Sequence, residues 1–138
     1  MACFNTSGTL GKVGKFVLLV QAYRIVVFIP EGAEECILQA VLALDDLQYG
    51  SYKGVSWTAA AGIERFTPEP DASPTLGGMG EQVRAPVVRV EFSIPRDNAL
   101  LQSIIDCAIY PNHPWEEPVI SVSETIETRK NATAPTKP

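Results

Sequence analysis

Two hydrophobic rhythms run along this chain. In "VVRVEFSIP" the apolar residues Val88, Val90, Phe92 and Ile94 take every second position, with Arg89, Glu91 and Ser93 between them. That period of two is the mark of a strand with one buried face. In "EGAEECILQAVLALDD" the spacing changes. Ile37, Ala40, Val41 and Leu44 stand at i, i+3, i+4 and i+7, one stripe of an amphipathic helix, and Glu31, Glu34 and Glu35 complement the positive end of its dipole. "RDNALLQSIIDCAIY" repeats the helical pattern with Leu101, Ile104, Ile105 and Ala108, and Asp97 or Asn98 is placed to cap it. "YRIVVFIP" reads as a strand stopped at Pro30, "VSWTAAAGIERF" as a second strand interrupted by alanines, and "VISVSETIE" as the last. "TPEPDASPTLGGMGEQVRAP", rich in proline and glycine, is a long loop.

The resulting order is β-α-β-β-α-β. With right-handed crossovers it predicts an α+β fold of the ferredoxin-like kind: a four-stranded antiparallel sheet with two helices on one face. "VVFIPEGAEECI" and "VEFSIPRDNALL" are both strand–proline–helix, as a duplicated unit requires. The sheet face away from the helices is expected to be mostly apolar and to be covered by self-association, because an exposed patch of that size is a liability.

Boundaries follow from the same pattern. Residues 1–22 read as an irregular leader, 23–128 as the domain and 129–138 as a disordered polar tail. Within "FVLLVQAYRIVVFI" the apolar run invites a signal or anchor reading. Gln21 and Arg24 break it, and it falls short of the roughly 20 apolar residues a spanning helix needs, so a core strand is expected and no membrane partner. Asn131-Ala132-Thr133 is a glycosylation sequon only if the chain is secreted.

Composition narrows the function classes. The 138 residues make one domain, 46% hydrophobic and 20% charged. The net charge is −5 with scattered basic residues, which argues against a nucleic-acid partner. Three separated cysteines give no disulfide framework and no zinc pattern, so a reducing, cytoplasmic setting is expected. Cys36 and Cys107 lie beside the helical stripes and read as buried thiols, while Cys3 in the leader reads as an exposed one. "TLGGMG" lacks the Lys-Ser/Thr of a P-loop and carries no nucleotide signal by itself.

The chemistry concentrates in "NHPWEEP", residues 112–118, which holds the single histidine. His113 with Glu116 supplies two metal ligands, and Glu117, next in an extended segment, points the other way, so a neighbour or water would complete any site. A general-base role for His113 needs a polar group from elsewhere, such as Tyr52, Glu64 or Arg89, and no nucleophile stands at motif spacing. The third reading is a proline-framed corner in which His113 and Glu116 bond the backbone and Trp115 packs at an edge.

"HPWEEP" resembles the HPYEEP signature of the small CutA/PII-like domain found in NIF-three-like (dinuclear-metal-centre) proteins. "FTPEPDASPTLGGMGE" matches the spacing of that family's loop at Phe66, Pro68, Pro74, Gly77 and Gly80, Gly50 and Tyr52 fit its turn after the first helix, and "VVFIPE" looks like its opening strand. The resemblance spans residues 23–124. It departs at Trp115 for tyrosine, Thr75 for phenylalanine and Asp71 for glycine, and "DDLQY" lacks a Gly/Ala-rich run. It implies the ferredoxin-like architecture and an oligomer; the more distantly similar CutA proteins form trimers. By analogy with PII-like domains it also implies small anionic effectors in clefts between subunits. The family's two-metal centre needs several histidines on another domain, and this chain has one.

The reading reached is a non-enzymatic, homo-oligomeric module, dimer or trimer. It binds a small ligand or a divalent metal at a subunit boundary, with His113, Trp115, Glu116, Glu117 and Tyr52 as ligand contacts and His113 and Glu116 as metal ligands. The alternative is a purely structural or protein-interaction module.

Overall fold

The computed structural model describes residues 8–138. Among the described residues six strands form one antiparallel sheet: β1 (Thr9–Val13), β2 (Val17–Pro30), β3 (Trp57–Thr58), β4 (Gly62–Phe66), β5 (Val83–Pro95) and β6 (Ile120–Lys130). The helices are α1 (Glu34–Leu42) after β2, and after β5 a continuous run of α2 (Asn98–Ser103), a π-helical turn (Ile104–Ile109) and α3 (Tyr110–Asn112).

β2 is the spine. Along one edge it pairs with β6 from Val17 to Val27, and along the other with β5 from Ala22 to Pro30. β1 pairs with Val17–Val20. Because β6 already occupies one edge there, β1 continues the line of β5. β3 and β4 share the far edge of β5. The six strands thus fall into four columns, ordered β6, β2, β5 with β1, and β4 with β3.

Alternation sorts the two faces. Ile25, Val27 and Ile29 of β2 and Val88, Val90, Phe92 and Ile94 of β5 meet Ile37, Leu38 and Val41 of α1 and Ile104, Ala108 and Ile109 of the second helical run, and this is the core. The opposite face mixes apolar residues such as Val26, Phe28 and Trp57 with a charged network that the sequence did not lead one to expect. Arg24 pairs with Glu91 at 3.3 Å, Arg89 with Glu91 at 3.1 Å and Arg129 with Glu127 at 3.4 Å. Ser93 donates to Glu127 at 2.8 Å and Arg89 lies over the Trp57 ring. Between the core positions stand Arg24 on β2 and Arg89, Glu91 and Ser93 on β5, which pair across this face beside the half-buried Val26 and Phe28.

Several boundaries move. The stretch read as an irregular leader is, from residue 9, a hairpin turning at Gly14 (φ 66°), because Val17–Val20 continue the spine in line with Tyr23–Pro30. Residues 1–7, with the exposed-thiol reading of Cys3, lie outside the described residues. The stretch read as a tail begins as strand through Lys130, and Asn131, only 7% exposed, bonds the Phe16 carbonyl through its amide while its side chain accepts from Thr133. Helix α1 ends at Leu42, so Leu44 leaves the stripe and is exposed. Asp97 is the cap, accepting from the amides of Ala99 and Leu100. The π turn inserts a residue into the helical repeat and buries Ile109 with Ile104 and Ala108. Cys36 and Cys107 are both exposed rather than buried, and the Cys36 thiol lies 3.5 Å from Asn112 Oδ1. No helix among the described residues is long and apolar enough to cross a membrane.

Candidate functional site

The proline-framed corner closes the gap between α3 and β6, at the end of the sheet where β2 finishes. Pro114 and Pro118 disfavour helix at the residues before them: His113 leaves α3 extended, with φ −85° and ψ 134°, and residues 114–117 bend toward β6. Val119 accepts a backbone bond from Phe28 at 3.1 Å, which starts the β6 pairing.

His113 is 7% exposed and both ring nitrogens are engaged with backbone. The Trp115 amide donates to Nδ1 at 3.1 Å, which makes Nδ1 the acceptor. Nε2 therefore carries the proton and donates to the Phe28 carbonyl at 2.8 Å. Burial holds the imidazole pKa below its ordinary 6.5, and the bond to Phe28 opposes that only in part. A neutral imidazole with no free lone pair is a brace between the corner and β2.

The corner also holds the 67–82 loop. Glu116 Oε1 accepts from the Ser73 amide at 2.7 Å, and the Thr75 hydroxyl donates to the Pro114 carbonyl at 2.8 Å. Trp115 meets Phe66 at 5.0 Å between ring centroids, tilted by 60°, and approaches His113 edge-on at 5.9 Å. Gly77, at φ +85°, brings the loop so close to β5 that a Cβ there would collide with Val83 Cγ2. Between loop and corner lies a cleft of about 640 Å³, walled by Phe66, Trp115 and Val119 and bordered by Glu64, Glu116 and Glu117.

Glu64 reaches this cleft because of a bulge. Trp57 stands opposite Glu91 and Thr58 opposite Val90, but Gly62 stands opposite Val87. Four steps on one strand match three on the other, so Ala59–Ala61 contains one extra residue. The slip gives Glu64 and Phe66 the face that Ile63 and Arg65 would otherwise have taken. Oε2 of Glu64 is buried without a hydrogen-bond partner, and loss of water raises its carboxyl pKa above the ordinary 4.5.

Of the residues the sequence singled out, Trp115, Glu116 and Glu117 border one cleft and His113 stands behind it. Tyr52 does not join them. It is 76% exposed in a turn bridged to Tyr49, whose hydroxyl lies 3.4 Å from that of Thr128, opposite Leu19. From Leu19 to Phe28 is nine residues of strand, roughly 30 Å. The two residues read as metal ligands also part company: His113 spends both nitrogens on backbone and Glu116 one oxygen on Ser73. No group of three or more His, Cys, Asp or Glu side chains suited to an ion forms among the described residues, so the donor set does not fit a metal centre.

Comparison with known proteins sets this geometry in context. No family model matches the chain. The GTP cyclohydrolase 1 type 2 homolog of Listeria innocua is 32% identical over 106 residues, which is 77% of this chain and 27% of that protein. The protein of the same name from Mycobacterium tuberculosis is 30% identical over 97 residues, 70% of this chain and 24% of its own length. The chain spans about a quarter of the length of these curated relatives. Among solved structures, a Bacillus cereus protein related to NIF3 aligns with a TM-score of 0.64 at 24% identity, covering 80% of this chain and 27% of that one. CutA1 from Oryza sativa aligns with a TM-score of 0.55 at 10% identity, covering 77% of this chain and 81% of that one. The two structures share the fold, and the relatives support a NIF3/CutA-like kinship.

Proposed function

We propose that this chain is a non-enzymatic binding and regulatory module of the NIF3/CutA-like type, self-associating and holding a small ligand in the cleft between the 67–82 loop and the His113–Pro118 corner. The cleft carries this reading: its volume of about 640 Å³ suits a small organic molecule, and aromatic rings and acids share its lining. The four-column sheet under two helical segments supports a ferredoxin-like reading of the fold, extended by the β1 hairpin and a divided far-edge strand. Self-association fits β6, whose outer edge is paired with no other strand among the described residues.

A divalent metal fits less well, since the donors do not converge. Catalysis fits less well too. The printed name of the curated relatives speaks of a cyclohydrolase, but His113 has no free nitrogen with which to move a proton. The second reading, a purely structural module, draws support from that same histidine, whose bonds all serve the backbone.

Native mass spectrometry of the untagged, as-purified protein tests the choice. The expected spectrum is a dimer or trimer carrying one extra small mass per subunit, lost in Trp115→Ala. A clean oligomer without added mass turns the choice to the structural reading, and a clean monomer removes the subunit boundary from the proposal.

A further inference from the structure

We infer that the cleft takes a small planar organic cation, with Glu64 as its counter-charge and the Trp115 ring as the surface on which it stacks. This deepens the ligand-binding reading above and rests on it.

Charge points to the sign of the ligand. Glu64, Glu69, Asp71, Glu116 and Glu117 border the cleft, against one basic residue, Arg65. Arg65 sits between Glu64 and Phe66 on β4, so its side chain leaves the strand from the opposite face. An anion entering here would meet a field of its own sign, which turns the reading away from the anionic effectors that the resemblance alone had suggested. Nor do the acids form an ion cage.

Glu64 points to the ligand's polar group. Glu116 gives one oxygen to Ser73, whereas Glu64 Oε2 is shut from water and bonds nothing in the protein. The other oxygen, Oε1, is not shut in and bonds nothing among the described residues either, so a ligand N–H⁺ bonding there supplies the charge that compensates the half-buried carboxylate. Its raised pKa is the same deficit seen from the proton's side. The aromatic wall supplies the shape. Phe66 and Trp115 stand tilted to one another, and the indole face is the most favourable partner a flat cation can have.

Three probes of one shape separate the terms: benzamidine, a cation; benzamide, neutral; and benzoate, an anion. Trp57 and Trp115 are the two tryptophans, so a Trp57→Phe background leaves emission to Trp115. Benzamidine is expected to shift that emission saturably, benzamide more weakly and benzoate not at all. Glu64→Gln should weaken benzamidine roughly tenfold and leave benzamide unchanged, as the loss of one charge-assisted bond requires. Glu64→Asp, which keeps the charge, should weaken benzamidine less than Glu64→Gln does. The Gln variant should melt no lower than the parent at neutral pH, because it removes an uncompensated charge.

Benzoate binding as tightly as benzamidine, an unchanged affinity in Glu64→Gln, or no saturable shift with any probe each overturns the inference. These failures are distinct from failure of the binding reading. A co-purified small mass lost in Trp115→Ala would keep that reading while the cationic class fell.

Discussion

A neutral imidazole whose two nitrogens both face backbone has no place for a second proton. Protonating Nδ1 of His113 sets an N–H against the Trp115 N–H, in a site already short of water. Unfolded histidine takes its proton near its ordinary 6.5, and the folded one only at lower pH. Between those values the unfolded chain binds more protons, so the contribution is full above about pH 6.5 and is lost as pH falls below it. His113→Ala should therefore cost about 2 kcal/mol at neutral pH, where it strands the Phe28 carbonyl and the Trp115 amide. Urea midpoints at about pH 7.5 and 5.5 check both points, with the wild type dropping between them and the variant, which has no histidine, dropping less. The sequence carried His113 as ligand, base or brace at once. Nothing in "NHPWEEP" says where its nitrogens point, since the Phe28 carbonyl is 85 positions away.

At the scale of elements, strands and helices were legible wherever one period ran unbroken. The spine is legible from Tyr23 onward and the β5 alternation from Val87 onward, and of the two cap candidates, Asp97 and Asn98, the first is the cap. What escaped were the irregularities that aim side chains. One extra residue among three alanines decides that Glu64 faces the cleft, and one extra residue in a helical turn decides that Ile109 is buried. Local sequence cannot reveal either, because a bulge is defined by the partner strand's count and a π turn by what the helix packs against. Gly77 shows the same dependence. Gly77→Ala would face both the left-handed backbone and Val83, and should cost about 1–3 kcal/mol. Hydrogen exchange checks its reach: faster exchange in residues 67–82 and at the Trp115 amide, with β2 unchanged, is the expected pattern.

For the whole molecule, the charged face of the sheet bears on assembly. Arg24, Glu91, Ser93, Glu127 and Arg129 satisfy one another, so a partner covering that face would have to bury a charged network. The open edge of β6 is the better candidate, and Ile126 on it is 59% exposed. Ile126→Lys should convert the oligomer to monomer, as measured by light scattering on a sizing column, with far-UV circular dichroism unchanged. An oligomer unaffected by this change would move the interface elsewhere.

By itself the sequence determined the layers: helical stripes and alternating strands lie in order along the chain, and their periods reflect burial that each segment must find. It also carried the kinship and the importance of the corner, because prolines and a lone histidine are local features. The tertiary structure alone decided that Trp115 meets Phe66, that Tyr52 stands at the far end, and that Glu64 keeps one carboxylate oxygen buried and unpaired. Those outcomes depend on register, bulge and turn, which are properties of paired segments and exist only once distant parts of the chain have met.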